Sequence, residues 1–255
     1  MPVTFDLRGE VGVITLASPE RRNVLSRDIV TGVLEILDGV QAKTARALVI
    51  TGKGSAFCAG ANIGDLLGAG WMEERSDGPS PVELFEALTR HRRVVVAAVN
   101  GLALGGGFEL SLYCDFVFAA EKAVFALPEL GLGVIPNTGL PRLCNLIGTR
   151  RALELVVSRR KLPAEEAFSL GLVNRIVADS NIVEAAVEFA ASTVANVPPA
   201  ALAEVKRCAW RAEAVDWQEA RAALLRLPPA EWKEGLGAFV ERRSPDYEQF
   251  WKSHA

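Results

Sequence analysis

The sequence predicts an α/β fold in which short strands alternate with helices, followed by a helical C-terminal part. Three strand-like runs, at residues 47–51, 94–99 and 116–120, are almost continuously apolar. Strands of this kind are typical of a parallel sheet that is covered on both faces. The chain has 255 residues, of which 50% are hydrophobic, so it is long enough to bury a sizeable core.

A β-hairpin and a helix are predicted near the N-terminal end. Residues 3–7 and 11–16 are strand-like and flank the turn residue Gly9. Ser26 is a favourable helix N-cap, and apolar residues recur after it at helical spacing. This pattern predicts a helix that runs to about Gln41.

Two regions are distinguished along the chain. Residues 1–195 carry the alternation of strands and helices, and residues 196–255 are helical, with breaks at the proline pairs 198–199 and 228–229. We expect the first region to form the core and the second to be an oligomerisation region. Residues 64–81 are rich in glycine and charge, which predicts a mobile surface segment.

The composition excludes several classes of function. The 31 acidic and 28 basic residues are mixed along the chain, with a net charge of −3, so nucleic acid is not an expected partner. The longest apolar runs are far shorter than the ~20 residues that span a membrane. The N-terminal stretch has no export pattern and the 4 cysteines are widely spaced, so we expect a cytoplasmic setting. With only 2 histidines in the chain, no metal site is predicted.

A run of three glycines points to a binding function. Gly105, Gly106 and Gly107 precede an apolar helical stretch that contains one acid, Glu109. Because glycine inside a helix costs about 1 kcal/mol relative to alanine, we expect the run at the helix start. The N–H groups there lack helical partners and can bind an anion or a polarised carbonyl oxygen. Glu109 would share that side of the helix, although a capping role is the alternative.

A second loop offers a second donor. The bend at Gly60, Ala61 and Asn62 follows a buried strand, and the N–H of Ala61 is a candidate for the other half of an oxyanion hole. Cys58 lies in the same stretch. No histidine accompanies it in a nucleophile motif, so we expect a buried, unreactive thiol.

A second acid lies in an apolar stretch. Glu129 is the one charged residue of AVFALPELGLGVI, residues 123–135. Apolar surroundings would raise the pKa of its carboxyl and keep it protonated near neutral pH, as a general acid requires. A solvent-facing acid after Pro128 is the alternative. If the two environments differ, Glu109 and Glu129 can divide the roles of base and acid.

Three of these stretches resemble one known family. FCAGANI, AAVNGLALGGGFELSLYCD and FALPELGLGVIP are similar to the enoyl-CoA hydratase/isomerase, or crotonase, superfamily. The resemblance implies a crotonase-like spiral of ββα units with C-terminal helices that pack into trimers or hexamers. It also implies that the amides of Ala61 and Gly106 bind a thioester oxygen. Glu109 and Glu129 would then add water across the 2,3 double bond of an enoyl-CoA, with Glu129 delivering the proton at C2.

The resemblance also implies where coenzyme A binds. The adenine would lie against the backbone at Ala59, Asn62 and Ile63, and the phosphates near Arg21 or Arg22. Arg242 would reach the same nucleotide from a neighbouring subunit, although an exposed arginine is more often simply solvated. Coenzyme A is part of the substrate, so no separate cofactor is expected.

The chain departs from the family pattern at two places. Asn62 replaces a common aspartate. IPNTGLPRL, residues 135–143, replaces a glycine-pair stretch and is about one residue shorter, with the change at 137–141. We expect this loop to abut the acyl site and to affect the position of Glu129. The leading hypothesis is a hydratase; the alternatives are a double-bond isomerase that uses one glutamate and a non-catalytic acyl-CoA-binding subunit.

Overall fold

The computed structural model describes residues 1–68, 71, 78–213, 216–247 and 250. The strands of this part of the chain are β1 Val3–Arg8, β2 Val11–Leu16, β3 Ala47–Gly52, β4 Ala56–Cys58, β5 Val94–Val99, β6 Leu102–Leu104, β7 Phe116–Ala120, β8 Val124–Ala126, β9 Leu162–Pro163 and β10 Arg175–Val177. The helices are α1 Arg27–Asp38, α2 Val40–Thr44, α3 Ile63–Gly68, α4 Pro81–Arg90, α5 Gly106–Leu112, α6 Gly139–Ile147, α7 Thr149–Ser158, α8 Ala164–Ser169, α9 Ile182–Val194, α10 Pro199–Ala212, α11 Trp217–Leu225 and α12 Pro229–Glu241. Short 3₁₀ helices lie at Pro19–Arg21, Glu129–Leu132 and Asp179–Asn181. No helix in the described part of the chain is both long enough and apolar enough to cross a membrane.

The strands form two sheets. A six-stranded sheet has the order β1-β2-β3-β5-β7-β10, and a four-stranded sheet has the order β4-β6-β8-β9. The pairs β1–β2 and β8–β9 are antiparallel, and the other pairs are parallel. Three times in succession the chain makes one strand in the large sheet, the next in the small sheet, and then a helical segment. The predicted spiral of ββα units is confirmed.

The large sheet is buried on both faces. Every residue of β3 and of β5 is buried. The helix α9 packs across β2, β3, β5 and β7 on one side, and the small sheet meets β3 and β5 through β4. The apolar, non-alternating strands of the sequence therefore have the environment that they predicted.

The N-terminal predictions are confirmed except at one helix end. The hairpin turns at Gly9, and the Ser26 hydroxyl accepts a hydrogen bond from the Ile29 N–H at 3.4 Å, as an N-cap does. The prediction of a single helix to Gln41 was wrong. Gly39 is extended, with φ −69° and ψ 159°, so α1 stops at Asp38 before the chain turns into α2.

Only part of the predicted mobile segment 64–81 can be assessed. Its first residues belong to α3, and its last residue begins α4. Residues 69–70 and 72–77 lie outside the described residues. Trp71, between them, is buried.

The C-terminal helices pack on the core of their own chain. Pro199 and Pro229 begin α10 and α12, so the predicted breaks are confirmed. On α10, the Lys206 ammonium donates to the Asp115 carboxylate at 2.7 Å, and the Trp210 indole N–H donates to the other oxygen of that carboxylate at 2.8 Å. This buried polar cluster joins residues 196–255 to the core.

Candidate active site

A cavity of about 960 Å³ lies among the small sheet, α4, α5 and the C-terminal helices. Four residues selected from the sequence line it together: Ala61, Gly106, Glu109 and Glu129. The fold therefore brings both glycine-rich loops and both acids to one cavity.

The first amide comes from the bend before α3. Leu25 and Ala61 form an isolated parallel bridge, in which the Leu25 N–H donates to the Gly60 carbonyl at 2.8 Å and the Asn62 N–H donates to the Leu25 carbonyl at 3.1 Å. The Ala61 N–H is not a donor in this bridge. Gly60 has φ 98°, and a Cβ there would lie 2.9 Å from the Leu104 carbonyl oxygen. Glycine thus permits the bend to lie close to the start of α5.

The second amide comes from the glycine run. Gly106 is the first residue of α5, so its N–H has no acceptor within the helix. A Cβ on Gly106 would lie 3.4 Å from the Ala61 nitrogen, which shows how close the two residues are. The prediction that the glycines mark the helix start is confirmed.

The other two glycines of the run allow close packing. Gly105 has φ 52° and ψ −127°, and a Cβ on it would lie 2.9 Å from Oε1 of Glu129. A Cβ on Gly107 would lie 2.0 Å from the Cys58 carbonyl oxygen. Gly105 therefore makes room for an acid, and Gly107 lets α5 pack directly on β4.

Glu109 is buried and held by three donors. Its Oε1 accepts hydrogen bonds from the Thr138 hydroxyl at 2.6 Å, the Gly139 N–H at 2.6 Å and the Thr138 N–H at 3.2 Å. Burial raises the pKa of the Glu109 carboxyl, and these donors oppose that rise because they favour the charged form. Among the hydrogen bonds of the described residues, none reaches Oε2. One carboxylate oxygen is anchored, and the other is available to the cavity.

Glu129 has a different environment. It begins the 3₁₀ helix after Pro128 and is 9% exposed, so the solvent-facing alternative is wrong. Neither of its carboxyl oxygens has a hydrogen-bond partner among the described residues. Burial, together with the nearby charge of Glu109, raises the pKa of Glu129 well above 4.5. Because Glu109 has donors and Glu129 has none, proton uptake is favoured at Glu129.

The loop at residues 135–143 contacts Glu109 rather than the Glu129 carboxyl. Through Thr138 and Gly139 it supplies all three donors to Glu109. Its link to Glu129 goes through the neighbouring Val134, whose N–H donates to the Glu129 main-chain carbonyl at 3.2 Å. The sequence pattern does not identify Thr138 and Gly139 as partners of Glu109, since they lie 29 and 30 residues away along the chain. The one available signal was the unusual composition of the loop.

Most of the residues expected to contact coenzyme A line this cavity. They are Arg21, Arg22, Ala59, Asn62 and Ile63. The Asn62 side-chain oxygen accepts hydrogen bonds from the N–H groups of Gly64 at 2.8 Å and Asp65 at 3.3 Å. Asn62 therefore supports the start of α3 as an aspartate would.

Arg242 is not among the residues that line the cavity of its own chain. It ends α12 in a left-handed conformation, with φ 56°, and it is exposed. A role in a neighbouring subunit stays a prediction.

Cys58 is unsuited to nucleophilic catalysis. The side chain is fully buried in the core, and burial raises the pKa of its thiol to about 12. The interpretation as a small buried side chain is confirmed. In the part of the chain that the structure describes, no cluster of histidine, cysteine and acidic side chains could bind a metal ion.

Two main-chain amides beside two buried carboxyl groups are typical of enzymes that polarise a carbonyl oxygen and move protons next to it. The model of the enoyl-CoA hydratase/isomerase family matches residues 6–250. The chain therefore belongs to the enoyl-CoA hydratase/isomerase family.

Individual relatives agree with this assignment. A probable mitochondrial enoyl-CoA hydratase of Dictyostelium discoideum is 34% identical over 251 residues, covering 96% of this chain and 90% of that protein. A crotonyl-CoA hydratase of Syntrophomonas wolfei is 34% identical over 256 residues, covering 96% of this chain and 97% of that protein. The solved structure of carnitinyl-CoA hydratase from Mycobacterium avium has a TM-score of 0.83 and 33% identity, covering 97% of this chain and 98% of that one.

Proposed function

We propose that this protein is an enoyl-CoA hydratase, which adds water to the 2,3 double bond of an enoyl-CoA thioester or removes it in the reverse reaction. The observation that carries the proposal is the pair of buried carboxyl groups on one cavity, one with three donors and one with none. The family membership and the relatives named as hydratases support it.

The amides of Ala61 and Gly106 bind the thioester oxygen. Addition of water at C3 moves negative charge onto that oxygen, so donors placed there stabilise the transition state more than the ground state. A donor of this kind is worth about 3 kcal/mol. Supplying both donors from the main chain explains why small residues surround this point.

The two glutamates divide the proton transfers. Oε2 of Glu109 takes a proton from water while the water oxygen bonds to C3. Glu129 gives its proton to C2 as the double bond is lost. The product carries a hydroxyl group on C3 and a new hydrogen on C2, and the two carboxyl groups return to their first protonation states by exchange with solvent.

The remaining parts of the substrate have defined places in this proposal. Coenzyme A lies against Arg21, Arg22, Ala59, Asn62 and Ile63, and Arg242 of a neighbouring subunit reaches its nucleotide in a trimer or hexamer. The acyl group lies against the apolar part of the cavity wall, which includes Val82, Phe85, Ile135 and Leu224. The chemistry needs no separate cofactor. Four free cysteines support a reducing compartment, and we place the protein in the cytoplasm.

Turnover of two thioesters tests the function. With crotonyl-CoA, we expect loss of the conjugated enoyl absorbance as water adds. Glu129→Gln should lower the rate at least about 100-fold while a CoA ester still binds. Formation of a conjugated product from a 3-enoyl-CoA, without hydration of crotonyl-CoA, would identify an isomerase. Binding of esters with no turnover, or a rate that survives Glu129→Gln, would contradict the two-acid assignment.

A further inference from the structure

Thr138 makes an unusual contact for its position. It is the N-cap residue of the nine-residue helix α6, where a threonine hydroxyl ordinarily accepts a hydrogen bond from an N–H of the first turn. Here no such cap bond is present. The hydroxyl instead donates to Oε1 of Glu109 at 2.6 Å, and the side chain is 1% exposed. The Thr138 hydroxyl thus binds the Glu109 carboxylate. That carboxylate accepts the N–H hydrogen bonds at the start of α6, as a capping side chain would.

The main chain at residues 138 and 139 leaves room for this carboxylate and is itself held in place. A Cβ on Gly139 would lie 2.9 Å from Cγ of Glu109, so glycine is needed for the acid to reach the helix start. The Thr138 carbonyl accepts a hydrogen bond from the Tyr113 hydroxyl at 2.9 Å. The Tyr113 ring is stacked on Phe85, with centroids 5.4 Å apart. The main chain at residue 138 is therefore fixed by contacts that do not use the threonine hydroxyl.

Of the three donors to Glu109, only the hydroxyl depends on the side chain. The main-chain N–H groups of Thr138 and Gly139 do not depend on which side chain stands at position 138. Removing the hydroxyl would leave a buried carboxylate with one donor fewer, which disfavours its charged form.

We infer that Thr138 is a positioning residue, whose hydroxyl anchors Oε1 of Glu109 so that Oε2 faces the attacking water as an ionised base. The inference rests on the proposed function for the water step, but the contact itself can be tested separately. Thr138 touches Glu109 and acts through it.

The test compares Thr138→Val, which removes the hydroxyl at similar volume, with Thr138→Ser, which keeps it. Rates of crotonyl-CoA hydration are measured across pH for both variants and the unmodified protein. Thr51→Val is the matched control, because Thr51 is also buried and donates to the Ala98 carbonyl at 2.9 Å but is not among the residues lining the cavity.

For Thr138→Val we expect kcat to fall about 10-fold, with KM changed less than about 2-fold. The acidic limb of the pH profile should move up by about one pH unit, since the base is harder to ionise. Thr138→Ser should restore both values, and Thr51→Val should change neither. An unchanged kcat and acidic limb in Thr138→Val, or an equal loss in Thr138→Ser, would overturn the inference.

A titration of the Glu109 carboxyl by ¹³C NMR separates this inference from the proposed function. The carboxyl should titrate at higher pH in Thr138→Val than in the unmodified protein, whether or not crotonyl-CoA is hydrated. If the unmodified protein hydrates no enoyl-CoA, the proposed function fails, and the titration alone decides whether the hydroxyl holds the carboxylate. If Thr138→Val does not fold, Thr138→Ala removes the same hydroxyl and takes its place in both experiments.

Discussion

The two buried glutamates differ in the contacts of their carboxyl groups. The Glu109 carboxylate reaches from α5 to the start of α6, where it has three donors, while the Glu129 carboxyl is buried and has none. Both pKa values are raised by burial, and that of Glu129 is raised well above its ordinary value. This difference supports the proposed division of roles, with Glu109 as the base and Glu129 as the acid.

This difference predicts a bell-shaped dependence of kcat/KM on pH. The rate should fall at low pH as Glu109 takes up a proton and at high pH as Glu129 loses its own. Because both pKa values are raised, the acidic limb should lie above pH 4.5, the ordinary value for a glutamate, and the basic limb should lie higher still. Steady-state rates across pH measure both limbs. A rate that keeps rising as the pH falls to about 4 would contradict the role of Glu109 as base.

Glu129 also makes stability depend on pH. A carboxyl whose pKa is raised by folding contributes its full stability below its unfolded pKa, near 4.5, and loses that contribution as the pH rises through the folded value. Glu129→Gln should therefore melt at a higher temperature than the unmodified protein at about pH 8, with a smaller difference near about pH 4. Thermal unfolding followed by circular dichroism measures this. Glu188→Gln on the surface is the control, and an equal effect of both substitutions would count against a buried, proton-favouring Glu129.

Among the elements, α5 depends closely on its glycines. A Cβ on Gly107 would lie 2.0 Å from the Cys58 carbonyl oxygen, whereas a Cβ on Gly237, in α12, would have nothing within 4 Å. Gly107→Ala should lower the free energy of unfolding by about 2–4 kcal/mol, because α5 must move away from β4. Gly237→Ala should leave it unchanged or raise it by up to about 1 kcal/mol, since alanine favours a helix interior. Denaturant unfolding measures both; equal changes would contradict the requirement for glycine at position 107.

The sequence predicts these elements better than it predicts their contacts. Apolar runs locate the strands of the large sheet, and the glycine run locates the start of α5, because both signals are local. The helical pattern does not reveal the break at Gly39, because apolar residues continue at helical spacing on either side of it. The pairing of Thr138 with Glu109 cannot be found from spacing at all, because it exists only once α6 packs beside α5.

For the whole molecule, the C-terminal helices have two kinds of surface. Their inner sides line the cavity of the same chain through Arg221 and Leu224. Their outer sides leave large apolar side chains exposed: Val205 at 67% and Val240 at 61%. Large apolar side chains exposed in this way are candidates for burial at an interface. The proposed trimer or hexamer would cover them.

An interface of this kind predicts a change of mass on a single substitution. Val240→Asp places a charge on the outer side of α12 and should shift the mass in solution from a trimer or hexamer toward a monomer. Light scattering after size exclusion measures the mass. Leu7→Asp is the control, because Leu7 is 51% exposed but lies on the N-terminal hairpin. A monomeric unmodified protein would contradict the oligomer and the proposed role of Arg242.

The proposed chemistry requires the amides at 61 and 106 and the carboxyl groups at 109 and 129 to act on one substrate. A crystal structure with a bound 3-hydroxyacyl-CoA tests this directly. The proposed chemistry predicts a thioester oxygen at about 3 Å from both amide nitrogens, with the C3 hydroxyl beside Oε2 of Glu109 and C2 facing Glu129. A thioester oxygen bound away from these amides, or a C2–C3 bond out of reach of both carboxyl groups, would contradict it.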